Sequence, residues 1–360
     1  MTEHTIVGGG IIGLLTAYYL VGSGQDVTVL ERGNVGGESS WAGGGIISPL
    51  YPWRYADAVT QLAKWSQDQY PELIDKVSQF SDLDAEYVKS GLLILDTEEL
   101  PAAEQWARKF GSNLLSVKKT DILRIEPALH SIPDRAIWMP DVAHVRNPRL
   151  LKVLKHYLLS KGVVIHEDIE IHGFNVQDNR IQGLQTSKGD MSASSVAIAC
   201  GAWSTGLMKL VDLDLNIEPI KGQMILIKAR PKLIQRIVLS QDQYIIPRID
   251  GRVLVGSTME HEGFNKDITA QAREQLLAAA LRMIPALSDY KLEHQWTGLR
   301  PGSPDNVPTI SRHPRIEGLY VNAGHFRNGV VTAPASAQLL TNIILGQVPI
   351  LDQGLYSLAQ

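Results

Sequence analysis

One cysteine in 360 residues excludes an internal disulfide framework. Cys200 follows the apolar run Val196 to Ala199, which predicts a buried, inert thiol in a chain made for a reducing compartment. Basic runs are equally scarce. Lys and Arg number 34 against 38 Asp and Glu, a net charge of -4, and their scatter leaves no stripe that could follow a phosphate backbone, so no nucleic-acid partner is expected. No apolar stretch reaches the roughly 20 residues that cross a bilayer, and the most apolar one, Ile11 to Val21, stops far short. Only Met1 to His4 precede the first strand-like residues, too few for the basic start, apolar core and cleavage site of an export signal. The expectation is a soluble, cytoplasmic protein with no membrane span. Internal repeats, low-complexity segments, Ser/His/Asp arrangements and metal-ligand spacings are lacking too, so no metal is expected.

What is present is ample core material. With 44% hydrophobic and 20% charged residues, the chain exceeds the usual size of one domain, and two domains are expected.

The clearest unit is TIVGGGIIGLLTAYYLVGSGQDVTVLE, Thr5 to Glu31. Apolar and β-branched residues run into Gly8, Gly10 and Gly13, a helix-period stretch follows, and Val27 to Leu30 resume a strand. Gly8 permits a tight turn, Gly10 lets a pyrophosphate approach the backbone, and Gly13 lets helix and strand pack closely. The helix N-terminus offers free amides and positive dipole to phosphate. Glu31 closes the second strand, where an acid accepts hydrogen bonds from ribose hydroxyls and disfavours a phosphorylated ribose. FAD and NAD both fit at this point.

The next segment holds five glycines among residues 36 to 45 together with Ser39, Ser40, Trp41 and Trp53, so it is no flexible linker. Its glycines point to backbone lying against a flat ligand, with the serine hydroxyls and free amides turned to phosphates. Residues 56 to 80 predict two helices interrupted near Pro71. Asn147 and Pro148 read as the cap and first residue of a helix reaching Lys161. EIHGFNVQDNRIQGLQT and VAIACGAWS read as strands around short turns. Residues 223 to 258 are β in pattern, with a hairpin at Asp250-Gly251 and an edge or bulge at Pro247. A helix from Thr269 to Ile284 precedes a strand that breaks at Pro301-Gly302 and delivers Arg300 there. Strand Leu319 to Asn322, a glycine-flanked turn and a helix close the chain.

These motifs together resemble the FAD-dependent amine and amino-acid oxidase superfamily that includes D-amino acid oxidase, sarcosine oxidase and glycine oxidase. The resemblance is carried over the whole chain by GGGIIG with Glu31, ERGNVGGESSWAGGGIISP, CGAWS, KGQMILIK, YIIPRIDGRVLVGSTME, TGLRPGSPDNVP and GHFRNGVVTAPAS. WAGGGIISPLYPWRY, GLRPGSPD and GHFRNG are most similar to glycine oxidases of the thiamine-biosynthesis type. The implied fold is α/β, with an α+β substrate domain: a Rossmann-like FAD-binding domain (1–50, 145–220 and 290–360) interleaved with a mainly antiparallel β-sheet substrate domain (51–144 and 221–289).

The glycine turn gives Gly8, Gly10 and Gly13 to the cofactor, and by the same resemblance FAD is also bound by Ile11, Ile12, Glu31, Arg32, Ser39, Ser40, Gly44, Gly45 and Ile46, by Ile171 near the adenine, and by His325, Phe326, Arg327, Asn328, Gly329, Val330 and Val331. The only thiol, Cys200, stands in CGAWS and not near the C-terminal turn, so no covalent link is expected. Amides of this last group, at the start of the C-terminal helix, would stabilise the negative charge that reduction places on the flavin. Arg300 is the implied carboxylate clamp, suited to it by a planar fork. Tyr244, Met259 and Arg327 are implied to line the substrate pocket. Some family members carry a His two positions before the pocket Tyr, where this chain has Asp242. The implied reaction moves a hydride from the α-carbon of a small amino acid or amine to FAD; the imine hydrolyses, and dioxygen becomes hydrogen peroxide. The resemblance extends to supplying glycine imine for the thiamine thiazole. A D-amino acid dehydrogenase, a sarcosine oxidase-like flavoenzyme and a non-catalytic nucleotide-binding subunit are the alternatives, the last opposed by intact Arg300, Tyr244 and GHFRNG. A homo-oligomer is compatible with the sequence.

Overall fold

Strand Glu3–Val7, helix Ile11–Gly22 and strand Asp26–Leu30 form the opening unit as its pattern predicts. The computed structural model describes residues 3–130 and 132–358. Met1 and Thr2, part of the short lead on which the expectation of no export signal rests, lie outside the described residues.

Among the described residues the strands form three sheets. The first has the order Thr309–Arg312, Leu319–Ala323, Val196–Ile198, Glu3–Val7, Asp26–Leu30, Val164–His166, all parallel except the outer pair Thr309–Arg312 and Leu319–Ala323. Its central strands are buried along almost their whole length, as a parallel sheet covered on both faces requires. Helix Ile11–Gly22 packs between this sheet and the helices Asn147–Ser160 and Gly329–Leu345, so it is apolar nearly all round. The second sheet has the order Lys291–Gly302, Glu218–Lys228, Arg252–Gly256, Gln243–Pro247, Ile237–Ser240, Leu92–Ile94, Arg135–Met139, Leu115–Lys118. It is antiparallel apart from the pairing of Ile237–Ser240 with Leu92–Ile94. A small antiparallel sheet, Ile171–Gln177, Arg180–Thr186 and Gly189–Ser192, flanks the first. The chain passes between the two large sheets more than once, the interleaving that the sequence implies.

Several expectations need correction. Helix Asp57–Ser78 runs unbroken through Pro71. An interior proline costs about 3 kcal/mol. Here Val59, Leu62, Ala63, Tyr70, Leu73, Ile74 and Val77 bury one face of the helix. Each fully buried large apolar side chain returns roughly 1.5–3 kcal/mol, so burial wins. Pro71 itself lies on the exposed face. Pro247 stands inside the second sheet, yet at the end of its strand, paired with Val253 and beyond the last rung to Ile237–Ser240, so its missing N–H disturbs no ladder. The strand expected through VAIACGAWS stops at Ile198, and the chain turns through Gly201–Trp203 into a short helix, Ser204–Lys209. Strand Lys291–Gly302 does not break at Pro301: Arg300, Pro301 and Gly302 pair with Ile220, Pro219 and Glu218. That ladder draws residues 291–302 into the substrate sheet, and we propose moving the domain boundary at 290 accordingly.

Pro334 lies inside helix Gly329–Leu345. It cannot donate to the carbonyl of Val330, and the hydroxyl of buried Tyr70 donates there instead at 2.6 Å. The next amide, Ala335 N–H, donates to Ser66 Oγ at 2.9 Å. Two residues of helix Asp57–Ser78 thereby fix the position of the first two turns of the C-terminal helix.

Candidate active site

The glycine turn, the serine segment, the end of strand Lys291–Gly302 and the start of the C-terminal helix line one cavity of about 370 Å³. Gly8, at φ 111°, has space for no side chain: an added Cβ would sit 2.4 Å from the carbonyl oxygen of Ala199. Gly13 is tighter still, 1.9 Å from the carbonyl oxygen of Gly8, so it lets helix and strand meet and does not itself reach the cavity. Glu31 accepts hydrogen bonds from the amides of Gly9 at 2.7 Å and Gly33 at 2.9 Å, which fixes the carboxylate on the cavity wall. Ser40 Oγ accepts from the amide of Ile11 at 2.9 Å and so stands beside the helix N-terminus. Gly8, Gly10, Ile11, Ile12, Glu31, Arg32, Ser39 and Ser40 all line the cavity. Arg32 also stacks on Trp203, 4.4 Å from its ring centroid.

Gly44, Gly45 and Ile46 form the next part of the wall, with Ile171 toward the nucleotide end. Asn147, expected as a helix cap, instead reaches out of its helix: its Nδ2 donates to the carbonyls of Ser40 at 2.8 Å and Gly43 at 3.1 Å. It holds the glycine loop rather than the helix end, because those carbonyls lie inside the fold and need donors. Gly45, at φ 81°, lies so close to Val145 that a Cβ would meet its carbonyl oxygen at 2.1 Å.

His325, Phe326, Arg327, Gly329 and Val330 bring the C-terminal turn and helix start to the cavity, while Asn328 and Val331 are buried behind it. The His325 ring is engaged internally, with Thr332 Oγ1 at 2.9 Å and Asn322 Oδ1 at 2.8 Å. Burial pulls its pKa down to about 3, so it is neutral and contributes backbone rather than a proton. The first amides of any helix lack intrahelical partners, and those of Gly329 and Val330 stand at this wall.

Arg300 projects into the opposite end. Its guanidinium donates to Ser257 Oγ at 2.7 Å and to the carbonyls of Thr258 at 3.2 Å and Lys221 at 3.4 Å. Burial, with the like charge of Arg327 adding to it, pulls Arg300 down to about 10, still a cation at neutral pH. Tyr244 is buried and lines the same end, its hydroxyl 3.9 Å from the sulfur of Met224. Arg327 lies 3.9 Å from Asp242, which also pairs with Arg54 at 3.3 Å. Met259 is a correction: it is 58% exposed and does not line the cavity. Its neighbours Thr258 and Glu260 turn inward to Gln223 and Lys221, which leaves Met259 facing out.

Gly222, Met224 and Ser257, of which no site role was expected, also line the substrate end. Gly222 had a legible signal, a lone glycine inside a strand pattern, which marks a close approach. An added Cβ there would lie 2.3 Å from both terminal nitrogens of Arg300. Cys200, expected to be inert, donates to the carbonyl of Val7 at 3.1 Å, and burial pushes its thiol up to about 12. Among the described residues no group of three or more His, Cys, Asp or Glu could hold a metal ion, and no helix is long and apolar enough to cross a membrane.

The residues fit FAD on their own geometry. Glycines stand where any side chain would strike backbone, a fixed carboxylate sits at the strand end, and helix amides open on the cavity. The family profile described as FAD dependent oxidoreductase (DAO) matches residues 3–343. The chain is 45% identical over 359 residues to a glycine oxidase of Pseudomonas aeruginosa, covering 99% of each. It is 31% identical over 363 residues to a bifunctional protein ThiO/ThiG of Trichormus variabilis, covering 99% of this chain and 55% of that one. The crystal structure of glycine oxidase from Geobacillus kaustophilus superposes with a TM-score of 0.94 at 27% identity, covering 100% of this chain and 99% of that one.

Proposed function

Since the chain belongs to the DAO family of FAD-dependent oxidoreductases, we propose that it acts as a glycine oxidase, deaminating glycine and small amines or D-amino acids with dioxygen as acceptor. FAD is its cofactor and oxidation of amino acids its chemistry. When bound, FAD supplies the two-electron acceptor, and dioxygen restores it with release of hydrogen peroxide. The chain's own work is positioning.

The observation that carries this reading is the state of Arg300. Its three hydrogen bonds go to neutral oxygens, which leaves a half-buried positive charge facing the cavity without a compensating anion in that set. An isolated buried charge is costly, and a substrate carboxylate repays that cost with two charge-assisted bonds. A carboxylate held there sets its α-carbon toward the wall formed by Gly44, Gly45 and the C-terminal helix start. Tyr244 and Met224 close the apolar side. The helix start, with Gly329 and Val330, offers amides and positive dipole to the flavin as it gains charge. We assign no side chain as general base: His325 is neutral and engaged on both nitrogens.

FAD is held without a covalent bond, since the one thiol, Cys200, is half-buried and bonded to the Val7 carbonyl beside the glycine turn, rather than at the C-terminal turn. The imine product hydrolyses to oxo acid and ammonia. The bifunctional relative, in which the counterpart of this chain is half of a longer protein, supports a second fate: delivery of the imine to thiamine thiazole assembly. A cytoplasmic location completes the reading, supported by the single cysteine. A peroxide assay of the purified protein across glycine, sarcosine and small D-amino acids tests it. Peroxide with glycine is expected; no peroxide with any of them would refute the oxidase reading.

A further inference from the structure

Arg248 is an arginine buried to 8% exposure just after strand Gln243–Pro247, at the base of the hairpin turn. Its backbone is fixed by that turn: its amide donates to the carbonyl of Arg252 at 2.8 Å, and its carbonyl accepts from Gly251 at 3.0 Å. The guanidinium points away from the turn to the back of the glycine loop. Nη2 donates to the carbonyl of Gly44 at 2.8 Å, and Nη1 donates to the carbonyl of Val145 at 2.9 Å and to His144 Nδ1 at 3.1 Å. Val145 is the residue whose carbonyl fills the space beside Gly45, so one fork grips both sides of the loop.

These three acceptors are neutral. Burial, with Arg248 alongside, pulls His144 down to about 3, so its ring is uncharged. The carboxylates in this region are engaged elsewhere, Glu86 with Arg146 and Arg149, and Asp250 with Arg146 and Arg252. Arg248 is pulled down to about 10, chiefly by burial, and is a cation at neutral pH.

We propose that Arg248 is a positioning residue for the flavin end of the site: from behind the wall it holds the Gly44 peptide in place and lends that wall a positive charge favouring reduced, anionic flavin. The inference rests on the reading that Gly44 and Gly45 lie against FAD. A bond from a cation to the Gly44 carbonyl polarises the peptide, so the following amide, that of Gly45, becomes a stronger donor. Charge fixed in advance of the reaction needs no reorganisation as the flavin is reduced.

The test compares the FAD-loaded wild type with Arg248→Met and Arg248→Lys, measuring the reduction potential of bound FAD and its dissociation constant. In Arg248→Met the equilibrium constant for two-electron reduction should fall about tenfold, a shift of about 30 mV to more negative potential. Lys restores the charge without the fork. Its potential should return most of the way, while FAD binding stays severalfold weaker than wild type. A wild-type potential in FAD-loaded Arg248→Met overturns the electrostatic role. Should that variant fail to fold, Arg248→Lys decides alone: wild-type FAD affinity there overturns the positioning role, and weakened affinity supports it. Failure of the wild type to hold FAD would sink the reading of the cavity itself, whereas a loaded wild type with indistinguishable variants sinks only this inference.

Discussion

Replacing Gly222 by alanine separates the clamp from the fold. The new methyl would lie 2.3 Å from Nη1 and Nη2 of Arg300 and 2.4 Å from Cζ, closer than any real contact. These three nearest atoms are the far end of a flexible side chain, so the guanidinium moves and the strand remains. Moving it sacrifices the bond to Ser257 Oγ at 2.7 Å and strains that to the Thr258 carbonyl at 3.2 Å. Each hydrogen bond to a charged group is worth about 1.5–3 kcal/mol. Losing the stronger one from the oriented state should therefore raise KM for glycine about tenfold to a hundredfold, at 1.4 kcal/mol per factor of ten. The backbone change works the other way, because alanine in a strand gains roughly 0.5–1 kcal/mol over glycine. Peroxide-coupled kinetics, thermal melting and flavin content, measured together, should give a raised KM, an unchanged or higher Tm and full FAD loading. A wild-type KM in the loaded variant would refute the assignment of Arg300 as the substrate clamp held by its strand neighbours.

Arg300→Ala should weaken substrate capture about tenfold to several hundredfold with FAD content near normal, and Arg300→Lys should recover only part, because the ammonium lacks the fork; wild-type glycine affinity in either loaded protein would pass the role to Arg327. In a pH profile, kcat/KM should climb as the substrate amine loses its proton and show no falling limb below about 10, because Arg300, although lowered by burial, keeps its charge through that range. His325, near 3, should give no limb around neutrality, and a limb there that vanished in a His325 variant would contradict the base-free mechanism. Acid precipitation should leave a colourless pellet and free FAD in solution; flavin retained in the pellet would show a covalent link.

Legibility followed range along the chain. The opening βαβ unit and the Asp250-Gly251 hairpin were readable because their determinants lie within a few residues of one another: glycine where φ is positive, apolar periodicity elsewhere. Chemistry that joins distant segments was not readable. Asn147 looked like a cap because Asn-Pro precedes an apolar period, yet the carbonyls of Ser40 and Gly43, a hundred residues earlier, compete for its amide. Pro71 looked like a break because local propensity opposes it, whereas the buried face of its helix overrides that preference. The gathering of Arg300, Tyr244 and Arg327 came from resemblance rather than pattern, and the same resemblance misplaced Met259, whose outward turn depends on where Thr258 and Glu260 bond. Gly222 left a trace, a lone glycine inside a strand pattern, but the supporting residues Ser257 and Arg248 were invisible, because their partners are set by sheet register and by packing between the two large sheets.

Anaerobic mixing of the FAD-loaded protein with glycine, followed by flavin absorbance and then by admission of air, tests most directly whether this chain oxidises a small amino acid at the Arg300 end of its cavity. The expected result is bleaching that saturates with glycine, is lost at the same concentrations in Arg300→Ala, and reverses in air with formation of hydrogen peroxide. Flavin that stays oxidised with glycine, sarcosine and small D-amino acids alike would contradict it.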